Sequence, residues 1–152
     1  MAKDSISQVI ELDCPVLELF EKFQDVKTVS GFLPILSELK EIAPLQNYVA
    51  VLEDRVGPFK LRADLSIETK VDRESMRFSV EARGEDRQVR SAIRISVSVH
   101  FAPISDARTR VAIEGTYEVS GKVATLGSSV IKSKANKLTL EFANQVRENF
   151  GG

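Results

Sequence analysis

From Phe59 to Val119 the chain runs through four stretches that alternate apolar and polar residues almost without a slip. Phe59, Leu61, Ala63, Leu65, Ile67, Thr69 and Val71 share one side; Met76, Phe78, Val80, Ala82 and Gly84 follow. Ser91, Ile93, Ile95, Val97, Val99 and Phe101 form the third set, and Val111, Ile113, Gly115, Tyr117 and Val119 the fourth. A period of two places one face of each strand in a core and the other in water. Of the inward residues only Thr69, Ser91 and Tyr117 carry a polar side chain. A pocket against such a face would grip something greasy, with little to catalyse on it.

A length of 152 residues suits one domain, here 1–152, able to bury a sizeable core. Twenty-one basic residues against 22 acidic leave a net charge of −1, which argues against a nucleic-acid partner. One cysteine, Cys14, excludes an internal disulfide and a Cys-rich metal site, so a reducing, cytoplasmic setting is expected. The start lacks a signal-peptide layout, and no apolar run reaches the ~20 residues of a membrane span. Membrane contact is therefore expected to be peripheral.

Ser5 to Leu12 reads as a first strand. Asp13-Cys14-Pro15 then opens a helix, with Asp13 as cap and a stripe of Val16, Leu19, Phe20 and Phe23. Asp25 caps a second short helix ending near Gly31. Strands follow over Leu36–Ile42 and Tyr48–Val56, and then come the four alternating stretches, with turns between them that specify an antiparallel meander. From Lys122 to Phe150 the period becomes 3.6, with Val123, Leu126, Val130, Ile131, Leu138, Phe142, Val146 and Phe150 on one side. The sum is an α+β domain in which a curved seven-stranded sheet grips a long C-terminal helix. The helix begins with small residues (Gly121, Ala124, Gly127, Ser128, Ser129) and ends with bulky ones. Ala63, Ala82, Gly84 and Gly115 are small on the sheet. Space for a guest is expected beneath the first half of the helix and solid core beneath the second.

No catalytic constellation emerges. His100 alternates outward, and Cys14 lacks an activating neighbour in sequence. Glu53 and Asp54 are adjacent, so one of them must face inward in a regular strand, which makes them the best acid–base candidates; an ion pair explains them as well. The outward charges between Lys60 and Glu118 mix both signs and read as cross-strand pairs. No metal or cofactor is implied. Phe32-Leu33-Pro34-Ile35-Leu36 sets five non-polar residues at a helix-to-strand junction, either a core plug or a hydrophobic lip.

The order strand, two helices, six strands, long helix resembles the START/polyketide-cyclase superfamily, whose helix-grip fold encloses a hydrophobic cavity. Val29–Leu36, Val56-Gly57-Pro58-Phe59-Lys60 and Gly121–Gly127, with Ala135, Leu138 and Phe142, resemble segments of its carbon monoxide dehydrogenase CoxG family. Ile35 stands where that family usually has glycine, and the hairpin Gly84–Arg90 is more highly charged than is usual there. The residues after the last helix hold no hydrophobic extension of the kind some members use for membrane attachment. The resemblance implies an isoprenoid-quinone or lipid ligand and a redox-enzyme partner, a molybdenum hydroxylase recruited to the membrane.

A non-enzymatic hydrophobic-ligand carrier is the reading these features favour. Its expected contacts are Leu65, Phe78, Val97, Val99 and Tyr117 from the sheet and Leu126, Val130 and Ile131 from the helix. Phe32, Leu33 and Leu36 form the mouth, and Phe32–Leu36 is the segment expected to touch a membrane. Tyr117 is the inward hydroxyl large enough to orient a ligand carbonyl. The alternatives are a cyclase- or isomerase-type enzyme using Glu53, Asp54 or Tyr117, and an assembly factor without ligand.

Overall fold

The computed structural model describes residues 1–151. The order is β1 (Ala2–Leu12), α1 (Val16–Lys22), α2 (Val26–Ser30), β2 (Leu36–Ala43), β3 (Asn47–Val56), β4 (Phe59–Asp72), β5 (Arg77–Asp86), β6 (Ser91–Ser105) and β7 (Arg108–Gly121). A 3₁₀ turn over Val123–Leu126 leads into α3 (Ser128–Phe150). All seven strands join one antiparallel sheet, ordered β1-β7-β6-β5-β4-β3-β2. Successive hairpins build β2 to β7, and β1 pairs along β7. α3 runs beside β1, so the curved sheet grips it, as the sequence order implied.

The alternation fixes which face is buried. On β4, Leu61, Ala63, Leu65 and Ile67 are buried while Arg62, Asp64, Ser66 and Glu68 are exposed. Register carries the same face across the sheet: Ile67 opposes Ala82, Ala82 opposes Ile95, and Ile95 opposes Tyr117. The inner face holds two apolar clusters. One gathers Phe20, Phe23, Phe32, Phe78, Phe101, Val111, Val146 and Phe150. Its rings pack edge to face, with Phe101 at 5.4 Å from Phe20 and 4.9 Å from Phe23, and Phe32 at 5.4 Å from Phe150. The other gathers smaller side chains, Ala50, Leu52, Ala63, Leu65, Ala82, Tyr117, Val119 and Ile131.

Four local expectations need comment, and three of them correction. The terminal helix is not continuous from Lys122: Gly127 interrupts it at φ 97°, ψ 154°, and α3 starts at Ser128. A side chain at Gly127 would meet no atom within 4 Å, so the glycine serves the left-handed backbone and not a close helix–sheet contact. Asp13 does not cap α1. Pro15 takes that position, and the Asp13 carboxylate accepts from Arg108 Nε at 2.7 Å. Gly84 and Gly115 leave no room for a guest either, because a Cβ at each would clash with a neighbouring strand's carbonyl oxygen, that of Asp64 and that of Ser96 respectively. They let neighbouring strands approach where the sheet curves. Asp25 does cap α2, accepting from the Thr28 N–H at 3.3 Å and the Thr28 hydroxyl at 2.7 Å.

Asp86 is a buried carboxylate that ties β5 to β4. It accepts backbone N–H bonds from Arg62 at 2.8 Å, Gln88 at 2.9 Å and Val89 at 3.1 Å. The Arg62 bond above all holds its pKa below the usual aspartate value, against burial, which raises it. The stabilisation is therefore complete above the unfolded pKa of about 3.9 and is lost as pH falls through the folded value. Asp86→Asn is expected to cost about 1–3 kcal/mol at pH 7, with the gap to wild type shrinking below about pH 4. Urea unfolding at pH 7 and pH 3 checks both points.

Candidate functional site

Burial changes along a single strand. On β6, Val99 and Phe101 are buried, yet Ile93, Ile95 and Val97 on the same face are only half-buried. Val80, opposite Val97 on β5, is half-buried too. Central strands with neighbours on both sides should be the most enclosed part of a filled core. Apolar residues left half-buried there, facing α3, define a hollow on the inner face. Around it, Leu36, Leu39, Phe59, Leu126 and Ala135 pack against the smaller-residue cluster and are also only partly buried. At one end Leu126 lies over Gly57 in the β3–β4 turn.

The inner face carries two polar groups without partners. Tyr117 is 7% exposed, and its hydroxyl makes no hydrogen bond among the described residues; the Thr69 hydroxyl is likewise buried and unpaired. Burial raises the Tyr117 pKa, with the Asp4 carboxylate adding to the effect and Lys132 opposing it. At neutral pH the group is a protonated donor. Leaving such a hydroxyl unpaired costs about 1–3 kcal/mol, so a ligand acceptor there would recover a deficit.

Five of the expected contact residues come together around the smaller-residue cluster. Leu65, Tyr117 and Ile131 lie in the smaller-residue cluster with Leu126 and Leu36 packed against it, while Val97, half-buried, packs against the edge of the aromatic cluster. Three do not fit. Val130 is 43% exposed: it follows the break at Gly127, which resets the helical phase and turns it outward while Ile131 turns in. Phe78 and Val99 belong to the aromatic cluster, beyond the hollow. At the mouth Phe32 is buried against Phe142 and Phe150, a core plug, whereas Leu33, Ile35 and Leu36 are half-buried and Pro34 is exposed.

Asp54 and Lys134 were not legible as a pair. Asp54 shares the inner face of β3 with Leu52 and Val56, and Lys134 Nζ meets its carboxylate at 3.1 Å. Parity indicates that one of Glu53 and Asp54 must turn inward, but no sequence signal links either to a helix about eighty residues on. Glu53 faces out and pairs with Arg62, as an ion-pair reading of that strand allows. Cys14 is buried, and burial raises its thiol pKa. Two recesses of about 950 and 470 Å3 lie on the outer face of the sheet. Charges of both signs line the larger one (Arg62, Asp64, Arg83, Glu85, Arg94 and Glu118), which Ile93 also borders, and serines with Glu114 line the smaller. Among the described residues no group of acidic, histidine or cysteine side chains is placed to hold a metal. No described helix is long and apolar enough to cross a membrane.

The sheet order and the gripped long helix define a helix-grip fold of the START/cyclase type. Solved structures agree on the fold. A conserved protein from Geobacillus kaustophilus superposes with TM-score 0.82 at 23% identity, covering 95% of this chain and 93% of that one. The Zhui aromatase/cyclase from Streptomyces sp. R1128 gives 0.66 at 11% identity, covering 97% and 96%. A START superfamily protein from Mycobacterium smegmatis gives 0.64 at 8%, covering 95% and 97%. Comparison with curated proteins gave no match. The profile of the CoxG family of carbon monoxide dehydrogenase subunits matches residues 10–151, and the chain belongs to that family. Family and fold together suggest a domain that binds a hydrophobic ligand, although enzymes such as the Streptomyces cyclase share the fold.

Proposed function

We propose that this domain carries a lipid or isoprenoid-quinone-like molecule in the inner-face hollow and delivers it to a membrane-associated redox enzyme of the molybdenum hydroxylase class. The observation that carries the reading is the half-buried apolar row Ile93, Ile95 and Val97 at the centre of the sheet. Burying such surface against a guest is worth roughly 25 cal/mol per Å2, so an isoprenoid tail binds tightly with few hydrogen bonds. Tyr117 supplies the polar end by donating to a ligand carbonyl. Leu33, Ile35 and Leu36 border the mouth, with Pro34 at the tip of the segment that touches a membrane or a partner. Recruitment of the redox enzyme rests on family membership.

Tyr117→Phe tests the polar end. It is expected to weaken a quinone analogue by about five- to tenfold, leave a hydrocarbon of similar size unaffected, and not lower the thermal midpoint. Equal loss for both ligands contradicts the assignment. The inward Asp54 is the one observation favouring a cyclase-type enzyme. Its carboxylate is already engaged by Lys134, so proton transfer from that site would first require the pair to open.

A further inference from the structure

We propose that the ligand enters and leaves between α3 and β3, and that the Asp54–Lys134 ion pair latches this portal. The proposal rests on the hollow being a ligand chamber, and three observations support it.

The two flanks of α3 are held differently. Toward β1 the helix packs closely, and Lys132 Nζ donates both to the Asp4 carboxylate at 3.0 Å and to the Ser5 carbonyl at 2.8 Å. Toward β3 the backbones stand further apart, and Lys134 reaches across to Asp54. Lys132 and Lys134 are two residues apart on a helix, about 200° around its axis, so they reach opposite flanks. Among the described residues no other ion pair joins α3 to β3.

This pair is also the most enclosed one among the described residues, with side-chain exposures of 16% for Asp54 and 29% for Lys134. An apolar residue between Leu52 and Val56 would seal the gap without the cost of desolvating two charges. An ion pair instead closes the gap in a form that water can reopen, because both partners regain solvation when they separate.

The two halves of the helix are held differently: Ile131 and Lys132 hold the first half on its β1 flank, and the second half is packed into the core. At the C-terminal end Ala143, Val146 and Phe150 sit in the aromatic cluster, and the Gly151 carbonyl accepts from the Asp13 N–H. At the other end α3 has no side-chain cap and joins the 3₁₀ turn through Gly127, whose positive φ and open surroundings make it the local pivot. Opening the pair frees the β3 flank of the first half of α3, which can swing about its β1 flank while the second half stays packed.

A latch present in both the empty and the loaded closed states alters rates and not affinity. Stopped-flow fluorescence with the neutral apolar probe N-phenyl-1-naphthylamine reads this directly. Asp54→Asn and Lys134→Met are each expected to raise kon and koff together by about fivefold, with Kd unchanged. Wild-type rates should rise with salt, whereas those of the variants should not. The exchanged pair, Asp54→Lys with Lys134→Asp, should restore slow, salt-sensitive exchange. Unaltered rates with the probe bound, or a changed koff alone, overturn the latch and leave the chamber standing. Wild-type rates indifferent to salt overturn it without recourse to any variant. Failure of the wild type to bind the probe overturns the chamber and the latch together.

Discussion

Val97→Trp is expected to abolish binding of an apolar ligand while leaving the fold intact. Val97 is half-buried at the centre of the inner face, with Val80 opposite on one side and Gly115 on the other. An indole there projects into the hollow and removes on the order of 100 Å2 of ligand contact, worth roughly 2.5 kcal/mol or two orders of magnitude in affinity. Stability separates a hollow from a packed core. In a filled interior so large an insertion costs about 1–3 kcal/mol or more, as it would at the fully buried Val111. Over a hollow the cost is expected to fall within about 1 kcal/mol, because the ring replaces water and not side chains. Thermal unfolding and a probe titration on the same sample measure both.

Phe101→Ala should do the reverse, destabilising the fold by about 3–5 kcal/mol and lowering the thermal midpoint by roughly 10 °C. Phe101 is 1% exposed, and the rings of Phe20 and Phe23 close on it from α1 and its C-terminal end. The cavity left behind cannot collapse easily, since β6 is paired on both sides and α1 is short. Below the transition the probe should still bind, because the hollow lies further along β6, beyond Val99. Circular dichroism melts with and without probe check the separation. If Phe101→Ala removed binding while the protein remained folded, the two ends of the inner face would not be independent.

How much of this is legible in the sequence differs by level. Strand order, the gripped helix and the inward face follow from period-two alternation, because an alternating strand leaves little freedom in which side is buried. The division of the interior is legible in outline from residue size along the helix. Its boundary is not. Phe78 and Val99 alternate inward just as Val97 does and all three pack on the aromatic cluster; only three-dimensional packing closes over the first two and leaves Val97 half-buried. The phase of α3 depends on one glycine, since the break at Gly127 moves Val130 from the expected inner side to solvent. Small residues mislead where their cause is backbone proximity: Gly84 and Gly115 are small because a neighbouring strand's carbonyl crowds the Cβ position. Pairs distant in sequence, such as Asp54 with Lys134 and Asp86 with the Arg62 N–H, leave no local signal because charge and parity constrain one residue at a time.

The central claim is that the half-buried row on β6 marks a chamber for one hydrophobic molecule. Native mass spectrometry of wild type and Val97→Trp, each incubated with an isoprenoid quinone, tests it most directly. One bound equivalent is expected on the wild type and none on the variant. Absence of a bound quinone on the wild type, or equal loading of both proteins, would contradict it.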